Sequence, residues 1–218
     1  MNRDFRVGFC VSGHGRLFRA AATQHEALGI IPALVVAQQK ASPELDSFCQ
    51  ERSIRFVRMQ KLGRQQFNAA ITRLCVGAEL DLLCLTFDRI IPAELVRHYD
   101  GRIINLHPAH LPAFTGTDAI AQALAAGAKY IGATIHEVDE GIDTGAIIAQ
   151  CLVGARRNDT PAAVGARLFG PMRLMFLQVI RWYAEGRVER DVDGRVWVRD
   201  AVYGELPVSP AIEHGFPD

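Results

Sequence analysis

Short apolar runs alternate with longer amphipathic stretches along the first half of this chain. Residues 6–12, Arg-Val-Gly-Phe-Cys-Val-Ser, read as a buried strand that ends in the turn Gly13-His14-Gly15 and leads into a helical pattern at 16–28. Further strands are expected at 30–37, 54–57 and 80–86, with helices at 43–52 and 63–77 between them. Strands alternating with helices of this length predict an α/β fold with a mostly parallel central sheet and helices on both faces.

The second half keeps the pattern at first. Ile103, Ile104 and Leu106 form an apolar run bounded by Gly101 and Pro108, a strand signal, and a helical run then precedes a strand at 131–137. Residues 160–185 read as one long helix opened by Asp159-Thr160-Pro161, a cap with proline in the first turn. Its stripe of Leu168, Met172, Met175, Phe176, Val179, Ile180 and Tyr183 recurs at helical spacing and predicts a core face. Gly170-Pro171 is expected to interrupt that helix, since proline lacks the N–H that the ladder needs. Segments 187–190 and 195–198 flank Asp193-Gly194 and predict a small β-hairpin, and the proline-rich tail beyond Tyr203 is expected to be irregular.

At 218 residues the chain fits one domain, with a first half to about residue 100 and a second half over about 101–200. Its 24 basic and 24 acidic side chains balance, so no electrostatic footprint for nucleic acid or an acidic membrane is visible. The first residues lack the apolar stretch of a signal peptide, and no apolar run is expected to approach the ~20 residues that span a bilayer. The five cysteines are scattered, with no Cys-x-x-Cys pair and no Cys/His metal spacing; an odd count without a framework fits a reducing cytoplasm. Cys10, Cys75, Cys84 and Cys151 sit in apolar contexts, where thiols pack as small hydrophobes.

Chemistry concentrates between residues 103 and 143. Alternation along a strand puts Asn105 and His107 on one face, and Pro108 holds His107 extended, so an amide and an imidazole project side by side from a strand end. After the strand at 131–137, Val138-Asp139-Glu140-Gly141-Ile142-Asp143-Thr144-Gly145 places three acids in five residues between glycines. That carboxylate density exceeds what a turn needs, although a solvated turn would also carry it. Gly13-His14-Gly15 after the first strand has the form that aims backbone N–H groups at an anion, or equally of a plain tight turn. Residues 87–92 follow the fourth strand, where open α/β sheets bind ligands. His110 is expected at the surface, and His136 as a satisfied core or sheet-face histidine.

Read together, Asn105-Leu106-His107-Pro108, Leu111-Pro112, Gly116, Gln122-Ala123-Leu124 and the run from Val138 to Gly145 resemble the folate-dependent formyltransferases. The likeness is nearest to those acting on glycinamide ribonucleotide in purine biosynthesis. It covers about residues 5–187 and is densest over 87–150. The resemblance implies a Rossmann-like fold and a catalytic trio of Asn105, His107 and Asp143. It implies that the backbone at Arg89, Ile90 and Ile91 holds the pterin of 10-formyltetrahydrofolate, with Val138, Glu140 and Gly141 of the acidic loop closing the other side. It assigns the acceptor to Gly13, Gly15, Arg16 and Pro108.

Two positions depart from the pattern. The family follows the turn glycine with small polar residues where this chain has Arg16-Leu17, and it places a glutamate where this chain has Met172. The acceptor is therefore expected to be glycinamide ribonucleotide or another small amine. The chemistry implied is attack of the amine on the formyl carbon, with the Asn105 amide and a protonated His107 stabilising the oxyanion and Asp143 accepting a proton through water. No metal is required. The alternatives are a 10-formyltetrahydrofolate hydrolase, which would release formate without an acceptor, and a non-catalytic folate-binding homologue. The remaining expectations are a cytoplasmic monomer or homodimer whose partners are folate and a small amine, with no nucleic acid and no membrane.

Overall fold

The computed structural model describes residues 4–217. The chain divides into two compact units, one ending at Asn105 and the other beginning at Leu106.

In the first unit, strands β1 (Phe5–Val11), β2 (Ile30–Ala37), β3 (Arg55–Arg58), β4 (Leu82–Thr86) and the start of β5 (Ile103–His107) lie in the order β3-β2-β1-β4-β5. Every pair in this order is parallel. Helices α1 (Arg16–Thr23), α2 (His25–Leu28), α3 (Glu44–Glu51), α4 (Arg64–Val76) and α5 (Ala93–His98) make the crossovers. The helix expected over 16–28 is broken at Gln24, which has left the helical region. Phe9, Phe18 and Phe48 stack through the core, with ring centroids 5.2 and 5.7 Å apart. Cys10, Cys75, Cys84 and Cys151 are buried free thiols, as their apolar contexts predict, and Cys49 is buried and free as well.

The strand order reverses between β1 and β4, the kind of switch point beyond which open α/β sheets bind ligands. Hydroxyls stitch this point together: Ser12 Oγ donates to the Thr86 carbonyl and Thr86 Oγ1 to the Cys10 carbonyl, each at 3.1 Å. The turn after β1 favours glycine at position 15, chiefly through its backbone conformation. Its φ is +58°, and a Cβ there would lie 2.9 Å from Leu45 Cδ2.

The second unit holds the end of β5, α6 (Ala119–Ala125), β6 (Tyr130–Glu137), β7 (Ile147–Gly154), α7 (Pro161–Ala184), the hairpin β8 (Val188–Arg190) and β9 (Val196–Val198), and β10 (Val208–Ser209). Here the pairing turns antiparallel, β6 with β7 and β7 with β10, so the sheet is mostly rather than wholly parallel.

Two expectations about α7 and one about the tail are corrected. Gly170-Pro171 does not interrupt the helix, which runs unbroken through Pro171. One missing N–H is outweighed by burial on both sides, at Leu168 before it and from Met175 to Ile180 after it. By length and composition α7 is also apolar enough to cross a membrane, contrary to the reading that no such run exists. It packs instead on β6 and β7, with Val164, Leu168, Phe176 and Trp182 fully buried. The tail beyond Tyr203 is not wholly irregular, because Val208 and Ser209 pair with Cys151 and Gln150 along the edge of β7.

Candidate active site

His107 ends β5 and is buried. Its Nε2 lies 3.1 Å from the Phe114 carbonyl, and a carbonyl only accepts, so Nε2 carries a proton. Its Nδ1 lies 3.5 Å from Asp143 Oδ2.

Asp143 has a second imidazole beside it. His136 on β6 places Nε2 3.7 Å from Asp143 Oδ1, while its Nδ1 donates to the Glu137 carbonyl at 2.8 Å. Burial pulls the His136 pKa below its ordinary value of 6.5, against the upward pull of the Glu137 carbonyl and Asp143. His136 is thus favoured in its neutral form. Although its loop lies at the surface, the Asp143 side chain is only 10% exposed. The residue sits at φ +55°, a left-handed conformation that aspartate tolerates, and the Gly116 N–H donates to its Oδ2 at 2.9 Å.

The acidic loop is built from within. Asp139 accepts from the Gly141 N–H at 3.0 Å and from Thr144 Oγ1 at 2.8 and 2.9 Å, so its carboxylate is occupied in closing the loop. Gly145 lets the loop fold back onto β6, since a Cβ there would stand 1.8 Å from the Glu137 carbonyl oxygen. That carbonyl also receives His136 Nδ1, which ties the ring's orientation to the loop's return. Below the loop, buried Glu137 accepts from Tyr183 at 3.3 Å and pairs with Arg190 of the hairpin.

The segment after His107 is held by two residues that the sequence did not single out. Thr134, fully buried on β6, accepts from the Leu111 N–H at 3.0 Å and donates to the Ala109 carbonyl at 2.7 Å. Gln150 on β7 donates to the Leu111 carbonyl at 2.9 Å and to Thr134 Oγ1 at 3.0 Å.

The other sequence-marked residues are placed as follows. Asn105 is half-buried, two residues before His107 on β5, and Pro108 is exposed directly after it. His110 is exposed, as expected. Val138 is half-buried at the start of the acidic loop, and Glu140 and Gly141 are exposed. The first unit holds Gly13, exposed in the turn, buried Gly15, and Arg16 at the first position of α1. It also holds Arg89, whose guanidinium stacks 4.9 Å from the Phe67 ring centroid, exposed Ile90 and buried Ile91. The structure thus brings His107, Asp143 and His136 into contact, and His136 is the member that the sequence left in the core. Among the described residues no group of three or more His, Cys, Asp or Glu side chains is arranged to hold a metal ion.

A family model described as formyl transferase matches residues 5–180. The chain belongs to the formyl transferase family. Within it, the chain is 37% identical over 163 residues to the phosphoribosylglycinamide formyltransferase of Bacillus subtilis, a match covering 72% of this chain and 83% of that one. It also matches the trifunctional purine biosynthetic protein of Drosophila melanogaster at 36% identity, but spans only 13% of that protein's length. Among solved structures, the glycinamide ribonucleotide transformylase 1 of Symbiobacterium toebii superposes with a TM-score of 0.84 at 28% identity, covering 92% of this chain and 96% of that one. A formyltetrahydrofolate deformylase of Pseudomonas syringae superposes with a TM-score of 0.83 at 25% identity, covering 91% and 67%. The fold is shared by a structure named a transformylase and by one named a deformylase.

Proposed function

We propose that this chain transfers the formyl group of 10-formyltetrahydrofolate to the primary amine of a small acceptor. The observation that carries the reading is the Asp143 carboxylate, buried beside His107 at the end of β5 with Asn105 two residues away on the same strand. Folate enters as a substrate, not a resident group.

The geometry supports the following roles. His107 Nε2 is taken by the Phe114 carbonyl, and Nδ1 stands too far from Asp143 for a hydrogen bond, so the Nδ1–H is the donor open to a formyl oxygen. The Asn105 amide is the second donor. Losing one such donor typically costs ~10²–10³ in rate. As the acceptor nitrogen bonds to the formyl carbon it becomes acidic, and Asp143 takes its proton through water. The bond from the formyl carbon to the folate nitrogen then breaks, and that nitrogen takes up a proton. The backbone at Arg89, Ile90 and Ile91 and the loop residues Val138, Glu140 and Gly141 would hold the donor.

The acceptor would be held by Gly13, Gly15, Arg16 and Pro108. The Bacillus relative is named for phosphoribosylglycinamide. Two residues argue for a different amine here: Leu17 offers no side-chain hydrogen bond beside the turn, and half-buried Met172 on α7 carries no charge to meet an ammonium. The test is to supply 10-formyltetrahydrofolate with glycinamide ribonucleotide and with a panel of phosphorylated and sugar-linked amines, following tetrahydrofolate and formylated product. Transfer to one or more amines supports the reading. Release of formate at the same rate with or without any amine would replace it with hydrolysis.

A further inference from the structure

The span that follows β5 touches both members of the His107–Asp143 pair, and all of it lies in the second unit. The Phe114 carbonyl lies 3.1 Å from His107 Nε2, and two residues on the Gly116 N–H donates to Asp143 Oδ2 at 2.9 Å. That oxygen is the one that faces His107 Nδ1. One short stretch of backbone therefore fixes the far side of the imidazole and the near oxygen of the carboxylate.

Backbone strain is stored in this stretch. Phe114 sits at φ +60° and Gly116 at +81°, both left-handed. Glycine adopts that conformation freely, whereas for phenylalanine it is strained and persists only where the surroundings compensate. Two anchors do so. From residue 112 to residue 118 Phe114 alone is not exposed, and it packs on the buried cluster of Ala123, Ile131 and Val164. From α6, exposed Gln122 reaches back, and its amide donates to the Thr117 carbonyl at 2.7 Å and to the Thr115 carbonyl at 3.4 Å. Both anchors act on the backbone that carries the two contacts.

We propose that Phe114 and Gln122 are positioning residues for formyl transfer: the Phe114 ring pins, and the Gln122 amide braces, the backbone that orients His107 against Asp143. The inference rests on the reading that this pair carries the chemistry. A displacement of about 1 Å in such a pair is enough to slow a reaction by ~10². A purely structural role for the two residues would lower stability without separating kcat from KM.

The experiment compares the full chain with Gln122→Ala, Phe114→Gly and Phe114→Leu. Steady-state kinetics use 10-formyltetrahydrofolate and the best amine of the panel above. Without substrate, NMR of protein labelled in its histidine rings follows the His107 Nε2–H, assigned by its loss in His107→Asn. Gln122→Ala and Phe114→Gly are expected to lower kcat about tenfold or more, with donor KM within about threefold, and to weaken the Nε2–H signal through faster exchange with water. Phe114→Leu restores an apolar anchor and should bring kcat back to within about threefold of the unmodified chain, although its backbone is no less strained. Phe114→Gly relieves the strain but has no anchor, so a glycine variant as fast as the unmodified chain overturns the proposal. So does a Gln122→Ala protein with unchanged kcat and an intact Nε2–H signal. That exposed helical substitution decides the matter should Phe114→Gly not fold. A signal lost in both variants of a chain that transfers formyl to no amine leaves the bracing and removes the function above it. Normal transfer with no response in either variant removes the bracing alone.

Discussion

His107 and His136 stand on opposite oxygens of one carboxylate, at 3.5 and 3.7 Å from Asp143 Oδ2 and Oδ1. Each ring gives its far N–H to a backbone carbonyl, that of Phe114 or of Glu137. The pair is not equivalent, because burial lowers the pKa of His136 and favours its neutral form.

His136 should make the protein less stable as the solution is acidified. Its pKa in the folded chain lies below the ordinary 6.5, so below that pH the unfolded chain binds a proton that the folded chain refuses. Stability therefore falls as pH drops through about 6.5 and levels off below the folded value. His136→Asn keeps a donor for the Glu137 carbonyl and does not titrate. Urea midpoints between pH 8 and pH 5 should fall less steeply for the variant; identical slopes would remove His136 from the account.

Gly145 should tolerate no side chain. A Cβ 1.8 Å from the Glu137 carbonyl oxygen meets backbone, which cannot step aside as a side-chain tip can. Gly145→Ala is expected to cost about 3 kcal/mol in denaturant unfolding and to lower kcat by displacing both His136 and the acidic loop. A variant of unchanged stability would contradict the packing described.

Thr134 should act through position alone. Thr134→Val keeps its shape but strips the fully buried Leu111 N–H and Ala109 carbonyl of their shared partner. The expected cost is about 2 kcal/mol, with a raised KM and a changed kcat where Thr134→Ser retains both. Equal kinetics for the valine and serine variants would show that the loop after His107 is held elsewhere.

Arg190 should support the loop from the hairpin. Removing it as Arg190→Ala leaves the Glu137 carboxylate, 8% exposed, with less compensation. Because Arg190 is itself about half exposed, solvent screening reduces the loss to about 1–2 kcal/mol, less than for a fully buried pair. Chemical denaturation of Arg190→Ala and Glu137→Gln, alone and combined, gives the coupling directly.

Much of this arrangement was legible before any coordinates. The strand carrying Asn105 and His107 was marked by its β-branched apolar run and Pro108, and the acidic loop by its glycines, because both signals are local. Three features were not legible. Strand β7 follows Gly145 so closely that the loop's punctuation masks its start, and its antiparallel partner is set by the loop's return. His136 reads as a sheet histidine because nothing local says that residue 143 folds back onto it. Pro171 reads as a break because proline's local cost is visible in the sequence, while the burial that overcomes it, around Trp182 and Phe176, is tertiary.

The central claim is that Asp143 moves a proton during formyl transfer. Asp143→Asn suits the test, since asparagine accepts the left-handed backbone at φ +55° and can still receive the Gly116 N–H. Single-turnover transfer from 10-formyltetrahydrofolate, with folding checked by thermal melting, should slow by about 10²-fold or more while donor KM stays within a few-fold. A correctly folded Asp143→Asn protein turning over at the unmodified rate would contradict the account.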